Sequence, residues 1–123
     1  MNKRIIIIGS RRGNSLADYE NVATLFFSIY ETGDIIISGG CPKGGDKFAE
    51  MISRIHKIPI IIYNADWSLG RHAGFLRNTT IAENGDEMIA CVAHDRKGGT
   101  EDTIKKFKKL NPEGKIHLCL CQL

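Results

Sequence analysis

The sequence lacks any long hydrophobic segment. No stretch approaches the roughly 18 to 20 consecutive apolar residues that a transmembrane helix requires. The isoleucine run near the N-terminus, Ile5 to Ile8, is far shorter than the hydrophobic region of a secretory signal peptide. We therefore expect a cytoplasmic protein that does not associate with membranes.

The chain lacks the cysteine spacing of a disulfide framework or of a zinc site. The four cysteines include no Cys-x-x-Cys pair: Cys41, Cys91, Cys119 and Cys121. Without a secretory signal, we interpret them as reduced thiols. Cys119 and Cys121 share one face of a predicted strand, but no matching His or Cys pair follows, so their predicted role is core packing. The sequence predicts neither a metal nor a cofactor.

The chain also lacks a strong excess of charge. Its 17 Lys and Arg against 14 Asp and Glu leave a formal charge of +3, too little to indicate a nucleic-acid partner without a clustered patch. The one basic cluster, Lys105 to Lys109, is spread around the polar surface of a predicted helix and has no aromatic stacking platform beside it. A solvated helix face is therefore favoured over a nucleic-acid site.

The composition is that of a folded globular protein. Hydrophobic residues make up 42% of the chain and charged residues 25%, which excludes disordered and low-complexity architectures. A chain of 123 residues suffices for one hydrophobic core, and a single domain over residues 1–123 is expected.

Short apolar runs alternate with helical patterns along the chain. The predicted strands are Arg4 to Ile8, Asp34 to Ser38, Pro59 to Tyr63, Asp86 to Ala93 and Lys115 to Cys121. The first predicted helix begins after Ser15, which resembles a capping box together with Asp18, and it ends at Gly33. The other predicted helices run from Asp46 to His56, from about Arg71 to Ala82, and from Thr100 to Leu110. Most of the strands are continuously apolar, which is typical of parallel strands covered on both faces.

This alternation predicts an α/β fold. Because the connections are short and crossovers between parallel strands are right-handed, we predict a Rossmann-like three-layer sandwich. In this fold a five-stranded parallel sheet of order 3-2-1-4-5 carries helices on both faces. Ligands bind such sheets outside the carboxyl ends of the strands, where the strand order reverses. Here that point lies between the first and fourth strands.

Three glycine-rich loops lie at this edge of the predicted sheet. They run over residues 9–14, 38–46 and 94–100, and each leads to a helix N-terminus, whose free N–H groups and dipole favour phosphate. The second loop is not a Walker motif, because Asp46 stands where the lysine is required. No Gly-x-Gly-x-x-Gly fingerprint follows the first strand, which disfavours dehydrogenase chemistry.

The segment from Ala65 to Asn78 is the least generic part of the sequence. It contains the only tryptophan, Trp67, and places Gly70, Gly74 and Arg77 near one face of a predicted helix, with Arg77 available to an anion. A structural role is the alternative: Trp67 would then close the edge of the core, and Arg77 would pair with a carboxylate such as that of Asp46.

A set of short motifs follows in order along the chain: Gly9-Ser10-Arg11, Ser38-Gly39-Gly40, Gly44 to Asp46, Ala49-Glu50, Ile58-Pro59-Ile60, Ala65-Asp66-Trp67, Gly70, Ala73-Gly74, Arg77-Asn78, Asp86, Gly99-Thr100 and Thr103. In these motifs the whole chain resembles the stand-alone YspA-related (cpYpsA-related) branch of the SLOG superfamily, Rossmann-like relatives of the LOG phosphoribohydrolases and of the SMF/DprA DNA-binding proteins. The resemblance implies a site for nucleotides or their derivatives, in a group whose members are bacterial or carried by phages and plasmids.

By motif position, the resemblance assigns the ligand site. The candidate ligand-binding residues are Gly9, Ser10, Arg11, Ser38, Gly39, Gly40, Asp46, Trp67, Arg77, Asn78, Gly98, Gly99 and Thr100. Gly98 to Thr100 would bind phosphate, and Arg77 would approach a phosphate or ribose.

The chain departs from the LOG enzymes at their catalytic motif, Pro-Gly-Gly-x-Gly-Thr-x-x-Glu. Thr103 stands where that Glu assists cleavage of the N-glycosidic bond, and a hydroxyl cannot replace a carboxylate there. The alternative carboxylates are those of Glu101, Asp102, Asp46 and Glu50. We therefore predict no catalytic residue.

The expected function is to bind a nucleotide-derived signalling ligand, of the ADP-ribose or cyclic-nucleotide type, as a sensor or sequestering protein. The alternatives are a LOG-type nucleotide N-glycosidase and a DprA-like nucleic-acid binder. A homo-oligomer is also expected, formed through the apolar faces of the first and third helices.

Overall fold

Strands and helices alternate throughout residues 2–122, the part of the chain that the computed structural model describes. The elements are β1 (Arg4–Gly9), α1 (Leu16–Ile29), β2 (Ile35–Ser38), α2 (Gly45–His56), β3 (Ile60–Ile62), a 3₁₀ turn (Trp67–Leu69), α3 (Ala73–Asn84), β4 (Glu87–Val92), α4 (Gly99–Leu110) and β5 (Ile116–Leu120). All strand pairs are parallel, and the sheet order is β3-β2-β1-β4-β5. The predicted fold class and strand order are confirmed.

The core forms two layers, one on each face of the sheet. Ile5 and Ile7 of β1 are buried in the cluster with α1 and α2, whereas Ile6 and Ile8 are buried in the cluster that includes α3 and α4. Because successive side chains of a strand point to opposite faces, a strand buried on both faces must be apolar at every position. This is why β1 contains four consecutive isoleucines.

Helix α1 begins where the sequence predicts and ends earlier. Ser15 and Asp18 form the predicted capping box. The helix stops at Ile29, not at Gly33, because Tyr30 adopts an extended conformation with a ψ of 134°. The Lys3 ammonium group, directly before β1, donates to the Ile29 carbonyl oxygen at 2.8 Å and to Asp34 Oδ2 at 2.8 Å. This long-range contact satisfies the helix end and has no local sequence signal.

Helix α3 begins at Ala73, two residues later than predicted. The Asp66 side chain accepts a hydrogen bond from the Ser68 N–H and starts the 3₁₀ turn, which Gly70 ends with a φ of 86°. Gly70 therefore lies outside α3, and the expectation that it shares a helix face with Gly74 and Arg77 is wrong.

None of the helices within residues 2–122 combines the length and hydrophobicity needed to cross a bilayer.

Candidate functional site

A cavity of about 450 Å³ opens at the carboxyl edge of the sheet, between β1 and β4. This size lies within the range of about 300–1,000 Å³ typical of small-molecule sites. The lining residues come from the end of β1, the loops that follow β1, β2 and β4, the start of α2, the segment from the 3₁₀ turn into α3, and the first turns of α4: Ile8, Gly9, Ser10, Arg11, Arg12, Cys41, Asp46, Trp67, Arg71, Gly74, Phe75, Arg77, Asn78, Ile81, Lys97, Gly98, Gly99, Thr100 and Thr103. The cavity thus lies at the point where the strand order reverses.

Most of the predicted ligand residues lie together around this cavity. Ten of the thirteen line it: Gly9, Ser10, Arg11, Asp46, Trp67, Arg77, Asn78, Gly98, Gly99 and Thr100. The structure thus brings together residues from four separate segments of the sequence.

The other three predicted residues, at the end of β2, lie behind the cavity wall. Ser38 is fully buried, and its hydroxyl donates to the Asp46 carbonyl oxygen at 3.3 Å and accepts from the Gly40 N–H at 3.3 Å. The carbonyl oxygen of Gly39 accepts a hydrogen bond from Arg77 Nη1. Because β2 lies one strand away from the switch point, its end supports the residues that line the cavity.

Arg77 reaches from α3 across to the end of β2. Its Nε donates to Asn78 Oδ1 at 3.0 Å, which together with the bond to Gly39 holds the guanidinium group in place. A Cβ on Gly39 would lie 2.7 Å from Arg77 Nη1 and 2.9 Å from Asp46 Oδ2. A side chain at position 39 would therefore displace the ends of the Arg77 and Asp46 side chains.

Asp46 is the only acidic residue among the lining residues, and it is buried. Burial raises the pKa of Asp46, against the opposing effects of the Cys41 N–H, which donates to Oδ2 at 3.1 Å, and of the positive charge of Arg77. A carboxyl group with a raised pKa can present either a proton or an acceptor to a ligand.

Helix N-termini at the cavity lack side-chain caps. Neither α3 nor α4 has an N-cap hydrogen bond from a side chain, whereas α1, whose residues do not line the cavity, has the full capping box. At the start of α4, Gly98 and Gly99 are exposed and line the cavity. Its first N–H groups are therefore available to an anion, which the helix dipole also favours.

Cationic side chains surround the opening of the cavity. Arg12 forms a two-pronged ion pair with Asp95, at 2.9 and 2.8 Å, and the guanidinium group lowers the pKa of Asp95 to about 2. Among residues 2–122, no carboxylate lies within ion-pair distance of Arg11, Arg71 or Lys97. These three cations are available to a ligand with negative charge.

Two exposed aromatic rings line the same cavity. Trp67 is 63% exposed and Phe75 is 54% exposed. The Trp67 ring passes over Gly74, where a Cβ would meet it at 3.4 Å, so Trp67 does not close the edge of the core. Exposed rings beside a polar cavity favour stacking against a flat ligand.

Several lining residues were absent from the prediction: Ile8, Arg12, Cys41, Arg71, Gly74, Phe75, Ile81, Lys97 and Thr103. Gly74, Asn78 and Ile81 follow one another at spacings of four and three on α3, so the helical period was a usable signal for that face. Arg12 and Lys97 lie in the two glycine-rich loops already singled out. Cys41 lies in the glycine-rich loop 38–46, where its N–H donates to Asp46 Oδ2 at 3.1 Å.

The carboxylates considered as substitutes for the missing Glu are differently placed. Glu101 pairs with Arg96 at 2.9 Å, and Asp102 pairs with Lys106 at 2.9 Å and accepts from Asn78 Nδ2 at 3.1 Å. Glu50 lies in a separate shallow depression. Asp46 is therefore the one candidate carboxylate that lines the cavity.

Thr103 is buried, and its hydroxyl donates to the Gly99 carbonyl oxygen at 3.2 Å.

The four cysteines are free thiols, with Cys91 Sγ and Cys121 Sγ 3.7 Å apart in the core. Within the described residues, no group of His, Cys, Asp and Glu side chains is arranged to hold a metal ion.

Comparisons with known proteins yield no relative that names the ligand. No protein-family model matches the chain, and neither the curated proteins nor the solved structures give a significant match. The functional interpretation therefore starts from the geometry and charge of the cavity.

Proposed function

We propose that this protein binds a nucleotide-derived signalling ligand, of the ADP-ribose or cyclic-nucleotide type, at the carboxyl ends of the strands and acts as a sensor or sequestering protein. One observation carries the proposal: a single cavity combines exposed aromatic rings with an uncapped helix N-terminus and unpaired cations. The resemblance to the SLOG superfamily supports the same ligand class.

The lining of the cavity offers a surface to each of the two chemical parts of a nucleotide. Trp67 and Phe75 offer apolar ring surface to a base, and stacking of a base on an aromatic side chain contributes about 1–3 kcal/mol. Gly98 and Gly99 at the start of α4, with Arg11 and Lys97 nearby, offer N–H donors and positive charge to phosphate. Inorganic phosphate alone would leave the aromatic surface unused.

Binding without turnover is favoured by the residues at the start of α4. Thr103 uses its hydroxyl to contact Gly99, and Glu101 and Asp102 are both ion-paired, so none of them presents a free carboxylate to a glycosidic bond. An N-glycosidase is the second candidate, because Asp46 lines the cavity and burial raises its pKa, as a general acid requires.

The first experiment is a thermal-shift screen against nucleoside phosphates, NAD, ADP-ribose, cyclic ADP-ribose isomers and cyclic oligonucleotides. A ligand at one hundred times its dissociation constant adds about 2.7 kcal/mol to the free energy of unfolding, which raises the Tm by several degrees. A panel with no shift would contradict the proposal. Chromatography after long incubation with each hit separates a binder from an N-glycosidase, since only the enzyme releases free base.

Variants then locate the site on the chain. Arg11→Ala should weaken binding of a hit about tenfold or more, because a charge-assisted contact to phosphate contributes about 1.5–3 kcal/mol. Trp67→Ala should weaken it through loss of stacking. Arg54→Ala, an exposed arginine of α2 outside the cavity, is the matched control. Calorimetry that shows equal affinity for Arg11→Ala, Trp67→Ala and the control would contradict this site.

A further inference from the structure

Strand β5 forms one edge of the sheet, and its outer main-chain groups have no strand partner in residues 2–122. The Lys115 carbonyl oxygen accepts from the Met88 N–H at 3.0 Å, and the Cys121 N–H donates to Val92 at 2.8 Å. Odd-numbered residues of β5 thus direct their N–H and C=O groups toward β4. Because these groups alternate along a strand, those of Ile116, Leu118 and Leu120 point outward.

The two edges of the sheet differ in how they are protected. Strand β3 is only three residues long and follows Pro59, which has no N–H to donate. Strand β5 has five residues, Ile116–Leu120, with no proline and no lysine, arginine or acidic side chain. Natural edge strands are usually short, charged or interrupted by proline, which prevents pairing with other chains. The β5 edge has none of these features.

The side chains beside this edge are apolar and exposed. Leu118 is 44% exposed and Leu120 is 53% exposed. In the parallel register with β4, Leu118 lies beside Ala90 and Leu120 beside Val92, so both face the α3/α4 side of the sheet. Ile116, beside Met88, lies on the same face. The three residues whose N–H and C=O groups point outward, Ile116, Leu118 and Leu120, therefore form one row of apolar side chains.

We propose that β5 pairs antiparallel with β5 of a second copy of this chain, about a two-fold axis at Leu118. This register places Leu118 opposite Leu118 and Ile116 opposite Leu120, so every outward main-chain group in the row gains a partner. On the opposite face His117 meets Cys119, and no like charges are opposed. A two-fold contact of this kind is closed, and it joins the two sheets into one.

A second copy fits this edge because the row is complementary to itself. Inversion of the strand about Leu118 places Leu118 opposite Leu118 and Ile116 opposite Leu120, so apolar side chains meet at all three positions of the row, and the same main-chain groups point outward in both strands.

The test is the molar mass of the full chain in solution, measured by size-exclusion chromatography with light scattering at micromolar concentration. The expected mass is twice 13.7 kDa. Leu118→Pro removes an outward N–H that makes no bond to β4, and Leu118→Lys places like charges opposite each other across the axis. Both variants should be monomeric, with circular dichroism like that of the wild type.

Leu69→Lys is the matched control, because Leu69 is 59% exposed and lies far along the chain from β5. It should remain dimeric. A monomeric wild-type protein would overturn the proposal. So would a dimer that persists in Leu118→Lys, since the contact would then lie elsewhere, for example on the faces of α1 and α3.

Discussion

At the scale of single residues, one glycine sets how closely α2 approaches the sheet. A Cβ on Gly45 would lie 2.2 Å from the carbonyl carbon of Ile8 and 2.3 Å from the Gly9 nitrogen. Main-chain atoms of a central strand cannot move aside without breaking the ladder. The close approach places Asp46, the next residue, in the cavity wall at the end of β1.

Gly45→Ala should therefore destabilise the protein by about 1–3 kcal/mol, the usual cost of overpacking. Gly99→Ala is the matched control, since Gly99 is likewise the first residue of its helix, and the nearest atom to its Cβ would be Asn78 Nδ2 at 3.9 Å. Urea unfolding of both variants measures the difference. Equal stability of the two would contradict the close contact between α2 and β1.

At the scale of elements, the helices divide into capped and uncapped ones. The Ser15 side chain accepts from the Asp18 N–H at 3.0 Å, and the Asp18 side chain in turn accepts from the Ser15 N–H at 3.2 Å and the Gln122 N–H at 2.8 Å. The capping box therefore stabilises the start of helix α1, and Asp18 also links this start to Gln122, just after β5. Helices α3 and α4 leave their N–H groups to the cavity, at a cost in helix stability.

Ser15→Ala should lower the free energy of unfolding by about 1 kcal/mol, within the range for loss of an N-cap. The Tm should fall by several degrees in a domain of this size. Ser28→Ala removes a hydroxyl that only contacts the Leu25 carbonyl oxygen inside the same helix, and it should not lower the Tm. Thermal unfolding followed by circular dichroism tests both, and a loss in Ser28→Ala as large as in Ser15→Ala would refute the role of the cap.

At the scale of the whole molecule, buried carboxyl groups affect stability in opposite directions as the pH changes. Burial opposes ionisation of Asp34, but hydrogen bonds from Lys3 prevail and lower its pKa. The stabilisation that ionised Asp34 contributes is present above the pKa of this group in the unfolded chain, and it is lost as the pH falls through the folded pKa. Burial raises the pKa of Asp46 above 3.8, so its contribution is present at low pH and is lost as the pH rises.

Asp46→Asn should therefore stabilise the protein at neutral pH, since the amide oxygen can still accept from the Cys41 N–H and the variant has no charge to bury. The gain over the wild type should be smallest below pH 3.8 and grow as the pH rises through the folded pKa of Asp46. Urea unfolding of both proteins across this range measures it. A difference that does not change with pH would contradict a raised pKa.

The sequence was most informative about structural features that a single local residue pattern determines. The isoleucine run of β1 and the alternation of strands and helices sufficed for a parallel sheet covered on both faces, because buried parallel strands must be apolar on both faces. Ser15 and Asp18 located the start of α1, because a capping box is a local pattern. The glycine-rich loops indicated the edge of the sheet at which the cavity lies.

Only the tertiary structure decided which of the predicted site residues line the cavity and which contact the lining residues without facing the cavity themselves. The resemblance grouped Ser38, Gly39 and Gly40 with the ligand, whereas these three residues do not line the cavity, and Ser38 and Gly39 instead contact Asp46 and Arg77, which do. The bond from Arg77 to Gly39 joins residues 38 positions apart in the chain. Local propensity and spacing carry no information about such long-range distances. The sequence thus determined the architecture and the edge of the sheet at which the cavity lies, and long-range packing determined which side chains line that cavity.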